Sequence, residues 1–426
     1  MKNLDRRKFA GSVAAVASTA SLAKASRSPN EKVGVAILGC GRGKALARFF
    51  SKVRDSQVVA ICDVDENWGK PVCEQIKTLT GKRPQFVVDF RTLLDRPDVD
   101  ALVVATPDHW HAPITIHGCL AGKDVYVEKP AAHNIIEGRL AVKAARKYQR
   151  IVQHGTNLRS VPHFPEAWNL LKDGVIGKVK MVKAINNQRA SRVSHRDDEP
   201  VPSGVHYDLW QGPAPKRPFN RNRFHSTWHA MYDYGTGEIG NDGVHQIDLG
   251  RWALGLKAPR AVSCSAAKLG SKGDAQEFPD TMNVTWEYDD LLFVFEQRLF
   301  TPYRMRDHRV DNDNIFFGDE GYMMIDSSGY RVFYKNKRGP SGGRKLTEHL
   351  GHYQNFIDCV KSRRQQDLVA DIEEGHDSAL LCHLGNIAYR TGKRLLFDSQ
   401  TETFFDDEAN QYLGRDYRKG YELPQI

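Results

Sequence analysis

The sequence predicts an α/β protein with a doubly wound parallel sheet at the N-terminus, followed by an α+β domain with a large, mainly antiparallel sheet. Two observations support this prediction. From Lys32 onward, short apolar runs rich in β-branched residues alternate with helical stretches. Beyond about residue 155, longer strands of alternating character take over. Continuous apolar strands separated by helices are typical of a parallel sheet that is covered on both faces.

Six strands and four helices are predicted in the N-terminal half. The strands are residues 33–38, 57–62, 86–88, 101–105, 125–127 and 151–153. The helices between them are residues 44–53, 67–78, 112–121 and 135–148. Together they indicate one domain over residues 32–155.

The second half begins with a predicted helix, 163–171, and a long strand, 178–187. An irregular stretch rich in Arg, His, Trp and Tyr follows at 190–240, and irregular segments of this length inside a domain are usually functional. The remaining predicted strands are 261–267, 281–288, 291–298, 314–318 and 322–325, and the remaining helices are 352–363 and 374–392. We predict a second domain over 156–396 and a C-terminal tail over 397–426.

The first 25 residues have the pattern of a transport signal. The paired Arg6-Arg7 precedes a mild apolar stretch, 11–22, and Ala23-Lys24-Ala25 offers small residues at a cleavage site. This pattern resembles a twin-arginine signal, which exports folded proteins. A disordered basic tail is the alternative. The sequence therefore predicts a periplasmic or otherwise exported protein that uses the twin-arginine machinery, with residues 1–25 outside the fold.

Charge and cysteine content exclude several classes of function. The formal net charge is +9, but five basic residues lie in the first 25, and no Lys/Arg block of nucleic-acid type occurs elsewhere. None of the seven cysteines forms a CxxC pair, so neither a zinc site nor a redox dithiol is predicted. No His/Glu spacing indicates a metal site either.

A glycine turn after the first strand predicts a dinucleotide site. Gly39 and Gly41 match the first two glycines of GxGxxG, which permit a tight turn and the approach of backbone amides to a pyrophosphate. The third position is Lys44, and we expect Gly43 to do its packing instead. A strand, this turn and a helix are the start of a Rossmann domain.

Asp63 ends the second strand, where a carboxylate can accept hydrogen bonds from the ribose hydroxyls. A carboxylate there also repels a 2′-phosphate, which favours NAD over NADP. Arg42 leaves NADP possible because it brings a positive charge nearby. The alternative interpretation of Asp63 is a helix cap or turn residue.

Two further motifs carry a family resemblance. Thr106-Pro107-Asp108-His109-Trp110-His111 follows the fourth strand, and Glu128-Lys129-Pro130 closes the fifth. This pairing resembles the Gfo/Idh/MocA oxidoreductases, and the resemblance extends to residues 240–248 and to the helix around His352. It implies an NAD(P)-dependent oxidoreductase that acts on a hydroxyl of a sugar, glycoside or cyclitol, with homo-oligomers expected.

The resemblance also implies roles for individual residues. Lys129 would bind the hydroxyl or carbonyl being interconverted, and His245 would move its proton. Asp248 shares a predicted helix face with His245 and could orient its ring. Many relatives have Asp where this chain has Asn241, with Asp242 next to it, so the carboxylate's position stays open. The cofactor contacts are expected from Gly39, Gly41, Arg42, Gly43, Asp63, Thr106, Pro107, His111, Glu128 and Lys129, catalysis from Lys129, His245 and Asp242, and substrate contacts from Trp228, Tyr232, Asn241 and Asp248.

An exported enzyme has no pool of free NAD to exchange with. The twin-arginine signal and the Rossmann site together therefore favour a cofactor that is loaded in the cytoplasm and regenerated in place. Such a cycle allows coupled oxidation and reduction of two sugars, delivery of electrons to an acceptor, or a redox-neutral glycoside hydrolysis. A non-catalytic sugar-binding protein is an alternative of another class. In each case the expected partner is a small carbohydrate.

Overall fold

A computed structural model describes residues 32–187, 192–300, 312–335, 337–344 and 350–426. The predicted signal, residues 1–25, lies outside these ranges. Among the described residues, no helix combines the length and apolar character needed to cross a bilayer.

The N-terminal half is a Rossmann sheet, as the sequence predicts. Its six strands in the described residues are all parallel, in the order β3-β2-β1-β4-β5-β6. The strands are β1 (Val33–Leu38), β2 (Ser56–Cys62), β3 (Gln85–Val87), β4 (Ala101–Val104), β5 (Asp124–Val127) and β6 (Val152–His154). The helices are α1 (Cys40–Lys52), α2 (Glu66–Thr80), α3 (Arg91–Leu94), α4 (His111–Leu120) and α5 (Ile135–Lys147).

The second sheet is mixed and mostly antiparallel. Within the described ranges it has ten strands in the order β14-β13-β12-β11-β7-β10-β9-β8-β15-β16, and β7 and β10 run parallel. The strands are β7 (Val179–Asn187), β8 (Ala261–Ala267), β9 (Thr281–Glu287), β10 (Leu292–Arg298), β11 (Asn314–Gly318), β12 (Tyr322–Asp326), β13 (Gly329–Tyr334), β14 (Lys337–Gly342), β15 (Leu395–Asp398) and β16 (Thr403–Phe404). The helices are α6 (His163–Lys172), α7 (Tyr207–Gln211), α8 (Val244–Ala253), α9 (Leu350–Ser362), α10 (Ile372–Thr391) and α11 (Asp407–Asn410).

The structure differs from the prediction for this half at two places. The boundary at residue 397 falls inside β15, which pairs with both β8 and β16, so residues 397–404 form the edge of the sheet rather than a tail. β13 and β14 were not predicted. β14 consists of Lys-Arg-Gly-Pro-Ser-Gly, residues of low strand propensity, whereas β13 contains Tyr, Val and Phe and could have been recognised.

Helices from the C-terminal half join the two sheets. α9 packs on the Rossmann domain, where Tyr353 and Phe356 pack edge-on against Phe50 of α1. α10, almost entirely buried, lies between α5 and strand β8. Because these contacts bury apolar surface from both halves, the carboxyl edge of the first sheet is held against the second domain.

Candidate active site

The glycine turn has the geometry that the sequence predicts. Gly39 has φ +83°, and a Cβ there would lie 2.6 Å from the Ala105 carbonyl oxygen, so only glycine fits. Helix α1 begins directly afterwards at Cys40, four residues earlier than predicted. The N-terminal amides of α1 therefore point into the crevice at the sheet edge, as an anion site requires.

Gly41 and Gly43 have different tasks. A Cβ on Gly41 would contact only Trp68, at 3.7 Å, so the protein itself leaves room there, and a bound group can come close to the backbone. A Cβ on Gly43 would lie 3.0 Å from the Ile37 side chain, which confirms the close helix-to-strand packing expected of Gly43. Gly41 thus leaves room for a pyrophosphate, and Gly43 lets the helix that begins this site lie close to β1.

Asp63 lies beside the same turn. Its Oδ2 accepts a hydrogen bond from the Cys40 amide at 2.6 Å, and its Oδ1 accepts one from the Asp65 amide at 2.8 Å. Asp65, not Asp63, caps α2. Burial raises the pKa of Asp63 to about 6. Asp63 also lines the cavity, where its free lone pairs fit the hydroxyl-binding role that the sequence predicts.

The ends of β4 and β5 are tied together by His111. Its ring nitrogens lie 2.6 Å from the Pro130 carbonyl and 2.8 Å from the Thr106 carbonyl. The Lys129–Pro130 peptide bond is cis. Glu128 is buried, and Arg42 points its Nε toward it at 3.5 Å. The positive charge of Arg42, the reason that NADP stayed possible from the sequence, is thus directed toward Glu128.

Lys129 joins the two domains. Its Nζ donates a hydrogen bond to the Asn241 backbone carbonyl and lies 3.4 Å from Asn241 Oδ1. Both residues line the cavity at the carboxyl edge of the Rossmann sheet. The structure therefore brings the Glu128-Lys129-Pro130 motif and residues 240–248 of the second domain to one place, as the sequence predicts.

His245 follows on helix α8, one turn beyond Asn241. A wide π turn, Ile239–Gly243, leads directly into α8. Burial lowers the pKa of His245, and the nearby charge of Lys129 lowers it further, while Asp242 opposes both. A neutral imidazole beside an ammonium can accept a proton, which is what the predicted role needs. Asp242 Oδ2 also lies 3.5 Å from Asn312 Nδ2.

Asp248 does not lie where a substrate contact was expected. It is buried, and its carboxylate receives two hydrogen bonds from Arg159, at 2.7 and 2.8 Å, and one from Ser378 at 2.6 Å. Burial alone would raise the pKa of Asp248, but the positive charge and hydrogen bonds of Arg159 hold it at about 2. Asp248 is therefore a structural acid, and its hydrogen bonds go to Arg159 and Ser378 rather than to the His245 ring.

The two aromatic residues predicted to contact substrate, Trp228 and Tyr232, lie in different surroundings. Trp228 lines the cavity. Tyr232 does not, because its ring packs on Phe278, with centroids 4.2 Å apart, and under Arg390 at 4.6 Å. Tyr232 therefore lies outside the cavity lining, and its predicted contact with substrate gains no support from the geometry.

The cavity, of about 430 Å³, has walls that sequence reasoning missed. These walls include Phe224 and His225 of the irregular segment and Tyr421 of the C-terminal segment. Trp68 of α2 stacks on His225 with centroids 4.0 Å apart. No local motif marks these residues, because their place in the wall depends on tertiary packing. Among the described residues, no group of three or more His, Cys, Asp and Glu is arranged to hold a metal ion.

Comparison with known proteins identifies both halves. Residues 33–156 match a family model described as oxidoreductase family, NAD-binding Rossmann fold, and residues 187–294 and 343–423 match its C-terminal alpha/beta domain. An uncharacterized oxidoreductase, YrbE of Bacillus subtilis, is 29% identical over 68% of this chain and 73% of its own length. A glycosyl hydrolase family 109 protein of Shewanella is 30% identical, but over only 35% of this chain and 34% of its own length.

Solved structures share the fold. The aldose-aldose oxidoreductase of Caulobacter crescentus, complexed with glycerol, superposes with a TM-score of 0.66 at 19% identity, over 86% of this chain and 100% of that one. The WlbA dehydrogenase of Bordetella pertussis, in complex with NADH and UDP-GlcNAcA, gives 0.65 at 21% identity, over 86% and 99%. With the family models matching most of the chain in both domains, the protein belongs to the Gfo/Idh/MocA oxidoreductase family, whose N-terminal domain is an NAD-binding Rossmann fold.

Proposed function

We propose that this protein is an exported oxidoreductase that acts on a hydroxyl of a sugar, glycoside or cyclitol and keeps its NAD bound through the catalytic cycle. One observation carries the proposal: Lys129 and Asn241, from different domains, meet in the cavity that also contains the glycine turn and Asp63. The relatives named as sugar oxidoreductases support the substrate class.

The residues of the site divide the work. NAD, when bound, supplies the acceptor or donor of hydride. Gly39 and Gly41 fit its pyrophosphate and Asp63 fits its ribose. Lys129 is placed to donate a hydrogen bond to the substrate oxygen, and His245 to take the hydroxyl proton. Asp242 lies close enough to stabilise a charged His245 ring.

Two segments that cross the crevice favour a retained cofactor. The irregular segment contributes Phe224 and His225 to the cavity wall, and the C-terminal segment, residues 411–426, contributes Tyr421. Arg415 anchors the latter, with hydrogen bonds to buried Glu137 at 2.8 Å and to the His109 carbonyl at 2.7 Å. Tyr421, in the cavity wall, packs edge-on against Trp110 at 5.8 Å. Both segments thus form part of the wall around the site proposed for NAD, and release is therefore expected to be slow.

The Tyr421→Ala variant is expected to release NADH about tenfold faster than the unmodified protein, because it opens the cavity wall. Release can be followed by the fluorescence of bound NADH after mixing with excess NAD. Phe405→Ala is the matched control, since Phe405 is 75% exposed and does not line the cavity. Equal release rates for the two variants would contradict the role given to the C-terminal segment.

The Gly41→Ala variant is expected to fold normally and to bind NAD at least about tenfold more weakly. The added Cβ meets only Trp68 at 3.7 Å in the protein, so it intrudes mainly on a bound pyrophosphate. Thermal unfolding and NAD titration measure the two effects. Gly351→Ala, in helix α9 with open space around its Cβ, is the control for changing a glycine. Unchanged NAD affinity in Gly41→Ala would remove the pyrophosphate from this turn.

One sugar titration tests the proposed function and separates it from its alternatives. Aldoses, cyclitols and methyl glycosides are added to purified protein while the absorbance of bound nicotinamide is recorded. A redox change supports the proposal. Release of the aglycone without net redox change would favour the redox-neutral hydrolase suggested by the family 109 relative. Binding with neither result would indicate a non-catalytic sugar-binding protein.

A further inference from the structure

A carboxylate that no motif identified lies next to the Lys129–Asn241 contact. Glu238 immediately precedes the π turn Ile239–Gly243. Its Oε2 accepts a hydrogen bond from Asn241 Nδ2 at 3.1 Å. The other end of the same amide, Asn241 Oδ1, faces Lys129 Nζ at 3.4 Å. The side chains therefore form a line from carboxylate to amide to ammonium.

The order of groups in this line follows from hydrogen-bonding capacity. An ionised carboxylate only accepts hydrogen bonds, so the Asn241 NH₂ group must face Glu238. That orientation leaves the amide oxygen for Lys129, whose ammonium only donates. If Glu238 were replaced by an amide, Asn241 could turn over and present its NH₂ group to the ammonium. Glu238 thus determines whether Asn241 attracts or repels Lys129.

The charge state of Glu238 depends on its burial and on the charged groups near it. Burial raises the pKa of Glu238 to about 7, Asp242 raises it, and Lys129 lowers it. At pH 8, above that pKa, most of the Glu238 carboxylate is ionised, and its negative charge stabilises the neighbouring ammonium group.

We propose that Glu238 is a positioning residue that acts through Asn241 to keep Lys129 protonated and directed at the substrate oxygen. This inference rests on the proposed function for its catalytic meaning, but the effect on Lys129 can be measured without any substrate. Glu238 itself need not touch substrate or cofactor. The negative charge that supports Lys129 is placed one hydrogen bond further away than a carboxylate at position 241 would place it.

The test measures the reactivity of Lys129 with trace acetic anhydride at pH 8, read by mass spectrometry against the other lysines of the same chain. NAD content is matched between samples. Only the free amine is acylated, so a lower lysine pKa appears as faster labelling. Glu238→Gln and Asn241→Leu are each expected to raise the labelling of Lys129 about threefold to tenfold. Glu74→Gln, which neutralises an exposed carboxylate on α2, is the control and is expected to change nothing.

Restoring the charge distinguishes positioning from general damage to the structure. In Glu238→Gln/Asn241→Asp, a carboxylate stands directly beside the ammonium, and the labelling of Lys129 is expected to return to that of the unmodified protein. If Glu238→Gln fails to fold, Asn241→Leu alone decides the matter, because it removes the connecting amide and leaves Glu238 in place. Unchanged labelling in the folded variants, or no return in the double variant, would overturn the inference.

The same variants show whether this inference or the proposed function fails. If labelling responds as expected while no sugar is ever oxidised, the positioning of Lys129 stands and the oxidoreductase proposal fails. If sugars are oxidised by the unmodified protein and Glu238→Gln neither changes the labelling nor lowers kcat, Glu238 has no part in positioning Lys129.

Discussion

Replacing Lys129 by methionine is expected to lower kcat for sugar oxidation by a factor of about 10² to 10⁴, the usual range for loss of a group that assists proton transfer. Methionine keeps most of the length of the side chain and removes the ammonium that bonds Asn241. The glycine turn and Asp63 are untouched, so NAD should stay bound. The measurement is the rate of absorbance change of bound nicotinamide after a sugar is added.

Lys143→Met is the matched control for that change. Lys143 is exposed on helix α5, away from the cavity, and its replacement is expected to leave kcat within about twofold of the unmodified value. If Lys129→Met retained the activity of this control, Lys129 would not be a catalytic residue, and the interpretation of the Glu-Lys-Pro motif would be wrong.

Replacing Arg159 by alanine is expected to lower the free energy of unfolding by about 3–5 kcal/mol. Arg159 is almost fully buried and gives two hydrogen bonds to Asp248 and one to Glu374 at 3.0 Å. Without it, the buried Asp248 carboxylate loses its main counter-charge, and part of this cost is the uncompensated charge itself. Chemical denaturation followed by circular dichroism measures the difference.

The double variant Arg159→Leu/Asp248→Leu removes both charges and is expected to recover part of that loss, because no buried charge is then left alone. An exposed pair provides the comparison: Arg83→Ala, which breaks the contact with Glu74, should leave the stability almost unchanged because solvent screens that pair. A loss of the same small size for Arg159→Ala would show that this buried pair contributes little to stability.

The first sheet could be predicted closely from sequence because its central strands β1, β4 and β5 are buried on both faces and appear as apolar runs. β1 has all six residues buried and was predicted to the residue. The start of α1 could not be predicted as well. The early glycines, of low helix propensity, pointed to a start at Lys44, whereas in the structure Gly39 alone makes the turn and Gly41 and Gly43 belong to the helix.

The site was only partly accessible from sequence. Lys129, Asn241 and His245 lie in motifs, and each is found at the cavity or close to it. Asp248 was assigned wrongly because helical spacing shows which residues share a face but not what that face meets. Its partner Arg159 is 89 positions away in the chain. Such partners are set by tertiary packing.

Glu238 and Tyr421 were missed for related reasons. Glu238 is three residues before Asn241, a spacing that any turn could have, and its contact depends on the π turn that follows it. Tyr421 reaches the cavity as part of the C-terminal segment, which Arg415 ties to Glu137 and Arg418 ties to Asp208. Neither contact has a local sequence pattern, so each could be found only from the folded chain.

The central claim of the proposed function is that the protein is exported with its own NAD bound. Its most direct test is the nicotinamide content of mature protein recovered from outside the cytoplasm. The protein is purified without added cofactor, denatured, and the released nucleotides are measured by mass spectrometry. We expect roughly one NAD or NADH per chain, in keeping with one dinucleotide site per Rossmann domain. Mature, folded protein that releases no nicotinamide would contradict a captive cofactor and the function built on it.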